Sequence, residues 1–279
     1  MSDNAVIEEV DVLTQHQLML EELYSKNQLM PRIKKEFTEA FDGAFITFFQ
    51  ENEIPEAFGL TMLAQIALHK RADLKTMVGV TRVHADNCQH AVDLLLKCAE
   101  LDLIDYDDRF QTFIVKYMLD EQTQLELDQY QFPLPMVVKP KHLTKNTQSG
   151  YLLTKSSIIL KDNHTNDDVV LDHINRMNQV NFCHNMTVAS MVQNEWSGLD
   201  KPKEDETKQD YEKRVRAFQK YDRVARDVLD LLTQNGNSFY FTHRYDKRGR
   251  IYCQGYHTSY QGNSWNKAIL ELVEEEVIE

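Results

Sequence analysis

Apolar residues recur at intervals of three and four through much of this chain, the spacing of one face of an α-helix. Val12, Leu18, Leu20 and Leu23 mark one such face, and Phe37, Phe41, Phe45 and Phe48 mark another. The aromatic row reads as a packed face, with Pro31 and Pro55 at breaks between helices. From Thr61 to Leu103 the pattern predicts two more helices, the second over roughly Cys88 to Leu101 with Val92, Leu95, Leu96 and Ala99 together. The run from Leu103 to Tyr117 then becomes two β-prone segments around Asp107 and Asp108, which is a hairpin signature. Helix followed by hairpin is the outline of a winged helix.

Phe132-Pro133-Leu134-Pro135-Met136 is a rigid connector and the expected domain boundary. Beyond it, Val170, Ile174, Met177, Met186, Ala189 and Val192 predict a long helix that starts near Asn166 and stops at Ser197-Gly198-Leu199-Asp200. Tyr211, Val215, Phe218, Val224, Val228, Leu231 and Leu232 predict a second, ended by Asn235-Gly236. Two antiparallel helices of that length make a projecting hairpin. Phe239-Tyr240-Phe241 and Ile251-Tyr252-Cys253 then read as strands about a turn at Asp246 to Gly249, and Lys267 to Glu279 as an apolar-acidic helix. The expected fold class is mainly α with short β-hairpins, an α+β chain. A helical N-terminal domain spans 1–135, with a hairpin near 103–117. A basic connector spans 136–165, a helical hairpin 166–237, and a β-turn segment 238–279.

The composition is that of an ordinary soluble protein, 42% apolar and 27% charged over 279 residues. No apolar run approaches the roughly 20 residues of a membrane span, and the first residues are acidic where a secretory signal would be basic, so a cytoplasmic protein without membrane association is expected. Cys88, Cys98, Cys183 and Cys253 form no Cys-x-x-Cys pair, which argues for reduced thiols. His84, Cys88 and His90 fall close together but match no standard metal site, and are read as a polar helix start.

Charge changes the picture. The formal net charge is −13, yet Arg244, Lys247, Arg248 and Arg250 crowd one turn against a single acid, Asp246. Such a cluster in an acidic chain is local design, and its natural ligand is a polyanion. Arginine forks bind phosphate in a two-pronged manner, and Gly249 suits an unusual backbone angle or a close approach to a ligand. Between Val138 and Lys161 the chain carries Lys139, Lys141, Lys145, Lys155 and Lys161 with no acid, either as a solvated loop or as a segment laid along phosphates. Lys213, Arg214, Arg216, Lys220, Arg223 and Arg226 ride on the second long helix among Glu212, Asp222 and Asp227, so a solvated face and a nucleic-acid contact both fit. No Walker loop, dinucleotide Gly motif, His-Glu-x-x-His or Gly-x-Ser-x-Gly occurs.

Asp246-Lys247-Arg248-Gly249-Arg250-Ile251-Tyr252, followed by Gln261-Gly262-Asn263 and Lys267, resembles the Asp-x-Arg-Gly-Arg-x-Tyr segment that opens the palm of the single-subunit DNA-dependent RNA polymerases of phages and mitochondria. Leu134-Pro135-Met136-Val137-Val138-Lys139-Pro140-Lys141 is similar to a Pro-Met-Val-x-x-Pro-Lys element of that family, and Gly150-Tyr151 falls where it has a Gly-Gly-Tyr step. The resemblance covers about 104 to 279; residues 1 to about 100 match only as a helical domain. It implies that 166–237 is the thumb and 238–279 the start of the palm. It also implies that Arg248 and Arg250 contact template phosphates and nascent RNA, that Asp246 orients an arginine, that Tyr252 packs against the hybrid, and that Gln261 and Asn263 touch it. Lys139, Lys141 and Lys145 join the expected nucleic-acid contacts.

In that family the metal-binding aspartates and the nucleotide-handling Lys helix lie well after this motif, and the present chain ends before them. The expectation is the small subunit of a split, heterodimeric phage RNA polymerase, inactive alone, acting in the cytoplasm of an infected cell. A larger catalytic partner subunit would bind two Mg²⁺ ions, leaving no catalytic or metal residue here. The acidic, short hairpin tip of Asp107, Asp108, Arg109 and Phe110 predicts poor promoter melting and dependence on an accessory protein that delivers single-stranded DNA. The main rival is a non-enzymatic winged-helix transcription factor or adaptor using residues 61 to 118. A wholly structural interaction protein explains the acidity but not the Arg-Gly-Arg turn.

Overall fold

The computed structural model describes residues 2–24, 26–160, 163 and 167–274. Lys161, the expected helix start at Asn166 and residues 275–279 of the expected C-terminal helix lie outside them. The helices are α1 (Ser2–Tyr24), α2 (Lys26–Glu39), α3 (Ala44–Glu51), α4 (Glu56–His69), α5 (Leu74–Thr81), α6 (Cys88–Glu100), α7 (Glu121–Tyr130), α8 (Leu171–Met177), α9 (Met186–Met191), α10 (Lys208–Gln234) and α11 (Ser264–Ile269). The strands are β1 (Arg71–Asp73), β2 (Asp105–Asp107), β3 (Thr112–Ile114), β4 (Asn181–His184), β5 (Phe239–Tyr240), β6 (Thr242–Tyr245), β7 (Ile251–Gln254) and β8 (Leu270–Leu272). The chain is α+β, as expected, and forms two compact units, Lys26–Leu127 and a second made of 1–25 with 128–279.

The first unit is built around α4, whose Phe58, Met62, Leu63, Ala64, Ile66 and Ala67 are all essentially buried. Pro55 caps its start, as the proline spacing predicts. Pro31 instead lies inside α2, near enough to the helix start that few backbone bonds are lost. The aromatic row is interrupted. Phe37 and Phe45 are core, but a 3₁₀ turn, Ala40–Gly43, carries Phe41 and Asp42 at φ of 51° and 56°, and Phe41 is 76% exposed. The hairpin appears where expected, with Tyr106 opposite Phe113, and β3 also pairs with β1 to give the antiparallel order β1-β3-β2. Helix, strand, two helices and hairpin in that order complete a winged-helix topology. The stretch from 61 to 103 therefore holds β1 and α5 besides the two expected helices. Asp73 accepts from Thr76 N–H at 2.7 Å to cap α5, and Asn87 accepts from His90 N–H at 2.9 Å to cap α6, which accounts for the polar run at 84–90.

The second unit recruits α1 by a buried polar clasp. Gln17 and Glu21 are both fully buried on that helix. Gln17 Oε1 accepts from Val137 N–H at 2.9 Å, and the Glu21 carboxylate accepts from the backbone of Leu152 (2.7 Å), Leu153 (2.5 Å) and Thr154 (3.1 Å). A buried carboxylate is tolerated only with such donors. The N-terminal helix thus belongs with residues 128–279, and the helical N-terminal domain expected over 1–135 is divided.

The expected long helix from 166 to 192 is not formed. Two short helices, α8 and α9, flank β4, which pairs antiparallel with both β5 and β8 in the order β5-β4-β8. Phe182 and His184 point inward on that strand, so period-two burial replaces the helical face. Of the predicted helical hairpin only α10 is long. It starts where Thr207 caps Asp210 N–H and ends at Asn235, before Gly236 at φ 92°. Residues 267–274 are likewise not one helix: α11 stops at Ile269 and the chain enters β8.

Candidate nucleic-acid interface

Strands β6 and β7 form a two-stranded antiparallel ribbon with Arg244 opposite Tyr252 and Tyr245 opposite Ile251. Its turn closes through Gly249 N–H donating to the Asp246 carbonyl at 2.9 Å and Asp246 N–H to the Arg250 carbonyl at 3.0 Å. Gly249 sits at φ 77°, the left-handed conformation foreseen for it. A Cβ there would lie 3.8 Å from Val170 Cγ2, and Val170 is itself a β-branched residue at φ 63°. Strain of that kind persists only where the surroundings enforce it.

The side chains of this turn converge on one carboxylate. Asp246 Oδ2 accepts from Arg250 Nε at 2.8 Å, from Tyr252 Oη at 3.0 Å and from Arg248 Nη2 at 3.2 Å, while Oδ1 accepts from Arg248 N–H at 2.9 Å and Arg250 N–H at 3.2 Å. Burial of Asp246 opposes its charge, but the Arg250 and Tyr252 hydrogen bonds prevail and hold its carboxyl below the usual range. The Arg250 guanidinium is pushed the other way, chiefly by Asp246. The Asp246 side chain is 5% exposed, whereas those of Arg248 and Arg250 are 64% and 54% exposed. One buried anion therefore fixes two cations that still face solvent, which is preorganisation for an external anion.

Other expected contact residues have different duties. Gln261 accepts from Cys253 N–H at 2.7 Å and donates to the Ile251 carbonyl at 3.1 Å, bracing β7. Asn263 caps α11 by accepting from Asn266 N–H, and donates to Asn194 Oδ1 at 2.9 Å. Both amides are engaged in internal bonds. Lys139 and Lys145 are exposed. Lys141 Nζ donates to the Leu152 carbonyl at 2.5 Å and lines a cavity of about 370 Å³ with His142, Gln148, Thr154 and Lys155. That cavity shares no lining residue with the one beside the ribbon, which is formed by Trp196, Tyr221, Tyr252, Cys253, Gly255, Tyr256, Ser259 and 261–263. On α10, Lys220 and Arg223 pair with the buried Asp128, and Arg214 makes a fork to Glu206, which favours a structural and solvated role for that row.

Three sequence-distant pieces meet behind the ribbon. Met136 and Tyr240 exchange backbone hydrogen bonds at 2.8 Å in both directions, and the buried Tyr151 hydroxyl donates to the Leu134 carbonyl at 3.1 Å. Gly150 packs so closely that a Cβ would lie 2.8 Å from Thr242 Cγ2 and 3.2 Å from Pro140 Cβ. Beneath them His243, 1% exposed, bridges Asn178 Oδ1 at 2.7 Å and Tyr260 Oη at 2.8 Å, and burial drives its pKa down to about 4. His243, Trp196, Tyr221 and Tyr256 escaped the sequence reading. The only local signal was the density of aromatic residues just after the Arg-Gly-Arg turn.

Among the described residues no group of three or more His, Cys, Asp or Glu side chains is placed to hold a metal ion. Asp246, the acid of the turn, has both oxygens occupied by the arginines and Tyr252, so these residues do not fit Mg²⁺. Among the described residues no helix is long and apolar enough to cross a membrane. No protein-family model matches the chain, and no curated protein matches it.

Proposed function

We propose that this chain is a subunit of a DNA-directed RNA polymerase that grips template and nascent RNA beside the active centre, completing a larger partner that carries the metal-binding aspartates and two Mg²⁺ ions. The observation that carries this reading is the Asp246 hub: a buried carboxylate that aligns Arg248, Arg250 and Tyr252 on a stiff ribbon while leaving both guanidiniums exposed. A pair of fixed forks suits backbone phosphates, and an arrangement without base-edge readers suits an enzyme that must slide along any sequence. The contacts of 134–141 and 150–151 with Tyr240 and Thr242 support it, since they bring two segments that carry the polymerase resemblance against the strands that lead into the third, 246–252. The test is reconstitution with a catalytic partner chain. Primed elongation is expected only with both chains and is expected to drop in Arg250→Ala. Unchanged elongation by that variant overturns the assignment.

A second reading rests on the first unit. Its β1-β3-β2 sheet and α4, α5 and α6 have winged-helix order, as a transcription factor or adaptor would. The exposed positions of α6 include Gln89, Asp93 and Glu100, and the wing carries Asp107 and Asp108 beside Arg109, a face that repels phosphate. An adaptor that docks on protein fits that surface better than a duplex reader does. Strong, salt-sensitive binding of the isolated chain to duplex DNA, lost in Arg109→Ala but not in Arg250→Ala, would favour the transcription factor.

A further inference from the structure

The cavity beside the arginine ribbon has a volume of about 440 Å³, within the range of about 300–1,000 Å³ that small-ligand sites occupy. Its aromatic lining comes from four separate places. Trp196 lies in the segment after α9, Tyr221 on α10, Tyr252 on β7 and Tyr256 just beyond β7. Tyr221, 8% exposed, lies between two more accessible rings, its centroid 5.4 Å from that of Trp196 and 5.6 Å from that of Tyr256. Tyr256 is 48% exposed, yet Phe132 stacks on it at 4.1 Å and 22°, so its plane is fixed by packing.

The two amides and the serine hydroxyl of the lining are engaged in internal bonds. Gln261 braces the backbone at 251 and 253, Asn263 serves α11 and Asn194, and Ser259 Oγ accepts from Gln261 N–H at 3.1 Å. What the four rings offer a ligand is flat π surface. A cation stands beside one of these rings: the Arg250 guanidinium carbon is 5.9 Å from the Tyr252 ring centroid. A purely apolar ligand would make no use of that charge, and a bare phosphate would make no use of the rings. A nucleotide unit uses both.

We propose that this cavity seats one unpaired nucleobase of a single strand by stacking, while Arg250, with Arg248, holds a phosphate of the same strand. The proposal rests on the reading of the ribbon as a nucleic-acid grip and adds the seat, its chemistry and its consequence. Because the amides are spent internally, the seat discriminates little between bases, as stacking platforms do. Template DNA and RNA present the same stacking chemistry, and only the 2′-hydroxyl separates them.

The test uses the full chain and a short oligothymidylate, beside an oligomer of equal length and phosphate count made of abasic sites. Oligothymidylate is expected to bind roughly tenfold more tightly than the abasic strand, the low end of what one stacked base contributes. It should also quench tryptophan fluorescence, and the quench should vanish in Trp196→Phe, since Trp265, the other tryptophan, is buried. Tyr256→Ala, at a half-exposed position, should bring oligothymidylate down to the abasic affinity and leave the abasic affinity as it was. Quenching by oligouridylate as well as by oligothymidylate supports the shared stacking chemistry, and the tighter of the two identifies the strand. Equal affinity for oligothymidylate and abasic strands, both lost in Arg250→Ala, overturns the base seat and leaves the phosphate grip standing. Failure of the unmodified protein to bind either strand overturns both.

Discussion

Asp246 and Arg250 are four residues apart across a glycine turn, and the Arg250 Nε–H donates to Asp246 Oδ2 at 2.8 Å while their backbones also bond at 3.0 Å. The acid in this cationic cluster is thus a positioning group. In Asp246→Asn the oxygen that receives Arg250 and Tyr252 is replaced by an amide donor or left as a weaker, uncharged acceptor. Single-strand affinity should fall roughly tenfold, although one negative charge has been removed. Fluorescence anisotropy at fixed salt decides it, and tighter binding by Asp246→Asn would show that the carboxylate merely repels phosphate.

Arg250→Ala should weaken single-strand binding evenly across sequences, and the slope of log K against log salt should become shallower by roughly 0.7, the share of one phosphate contact. A salt series on the variant and the parent protein measures this directly. An unchanged slope would place Arg250 off the strand.

Glu21 predicts a stability effect far from the ribbon. Glu21→Ala removes a fully buried carboxylate and orphans the part-buried backbone N–H groups of Leu152, Leu153 and Thr154 that it accepts from, which should cost about 2–4 kcal/mol. Urea denaturation read by tryptophan fluorescence reports that unit, because Trp196 and Trp265 both belong to it. A loss under about 0.5 kcal/mol, the range of ordinary surface substitutions, would mean that the clasp is not structural.

Acid should destabilise the same unit early. Burial pushes the pKa values of His184, His243 and His257 down to about 4, from 6.5. The unfolded chain takes up these protons first, so the stabilisation is complete above pH 6.5 and is lost as pH falls from 6.5 to about 4. Each histidine contributes on the order of 3 kcal/mol over that window. Urea midpoints should therefore drop between pH 7 and pH 4.5, before carboxylates in the ordinary range protonate fully. A flat profile between those values would contradict the neutral, buried state of these rings.

On the proposed polymerase reading, the wing predicts template preference when the chain is reconstituted with a catalytic partner. With Asp107 and Asp108 at its tip, it is poorly suited to part a duplex, and single-stranded or premelted templates should be transcribed far better than linear duplex promoter DNA. Efficient unaided initiation on the duplex would refute this.

Local signals carried much of the fold. α10 and its C-terminal end were legible because Asn235 and Gly236 act within a turn of their own positions. Of the ribbon, the turn and the run 251–253 were legible, but the expected first run at 239–241 is replaced by Thr242–Tyr245, while Phe239–Tyr240 pairs with β4. The hairpin at 105–114 was legible because β-prone runs flank a short polar turn. The Arg-Gly-Arg turn, with Gly249 at positive φ, was legible for the same reason. β4 was not, since its partners β5 and β8 lie more than fifty residues downstream and the apolar residues on either side of it happen to keep helical spacing. Nor could spacing tell that α1 belongs with residues 128–279, because that depends on where the backbone N–H groups of 137 and 152–154 end up. The cationic cluster and its charge were determined by the sequence itself. Tertiary structure alone decided which acid orients the arginines, that the Gln261 and Asn263 amides are engaged by bonds within the chain, and that Trp196, Tyr221 and Tyr256 gather beside them. Residue types act at short range along the chain, whereas a site is made by packing between segments whose separation no local pattern records.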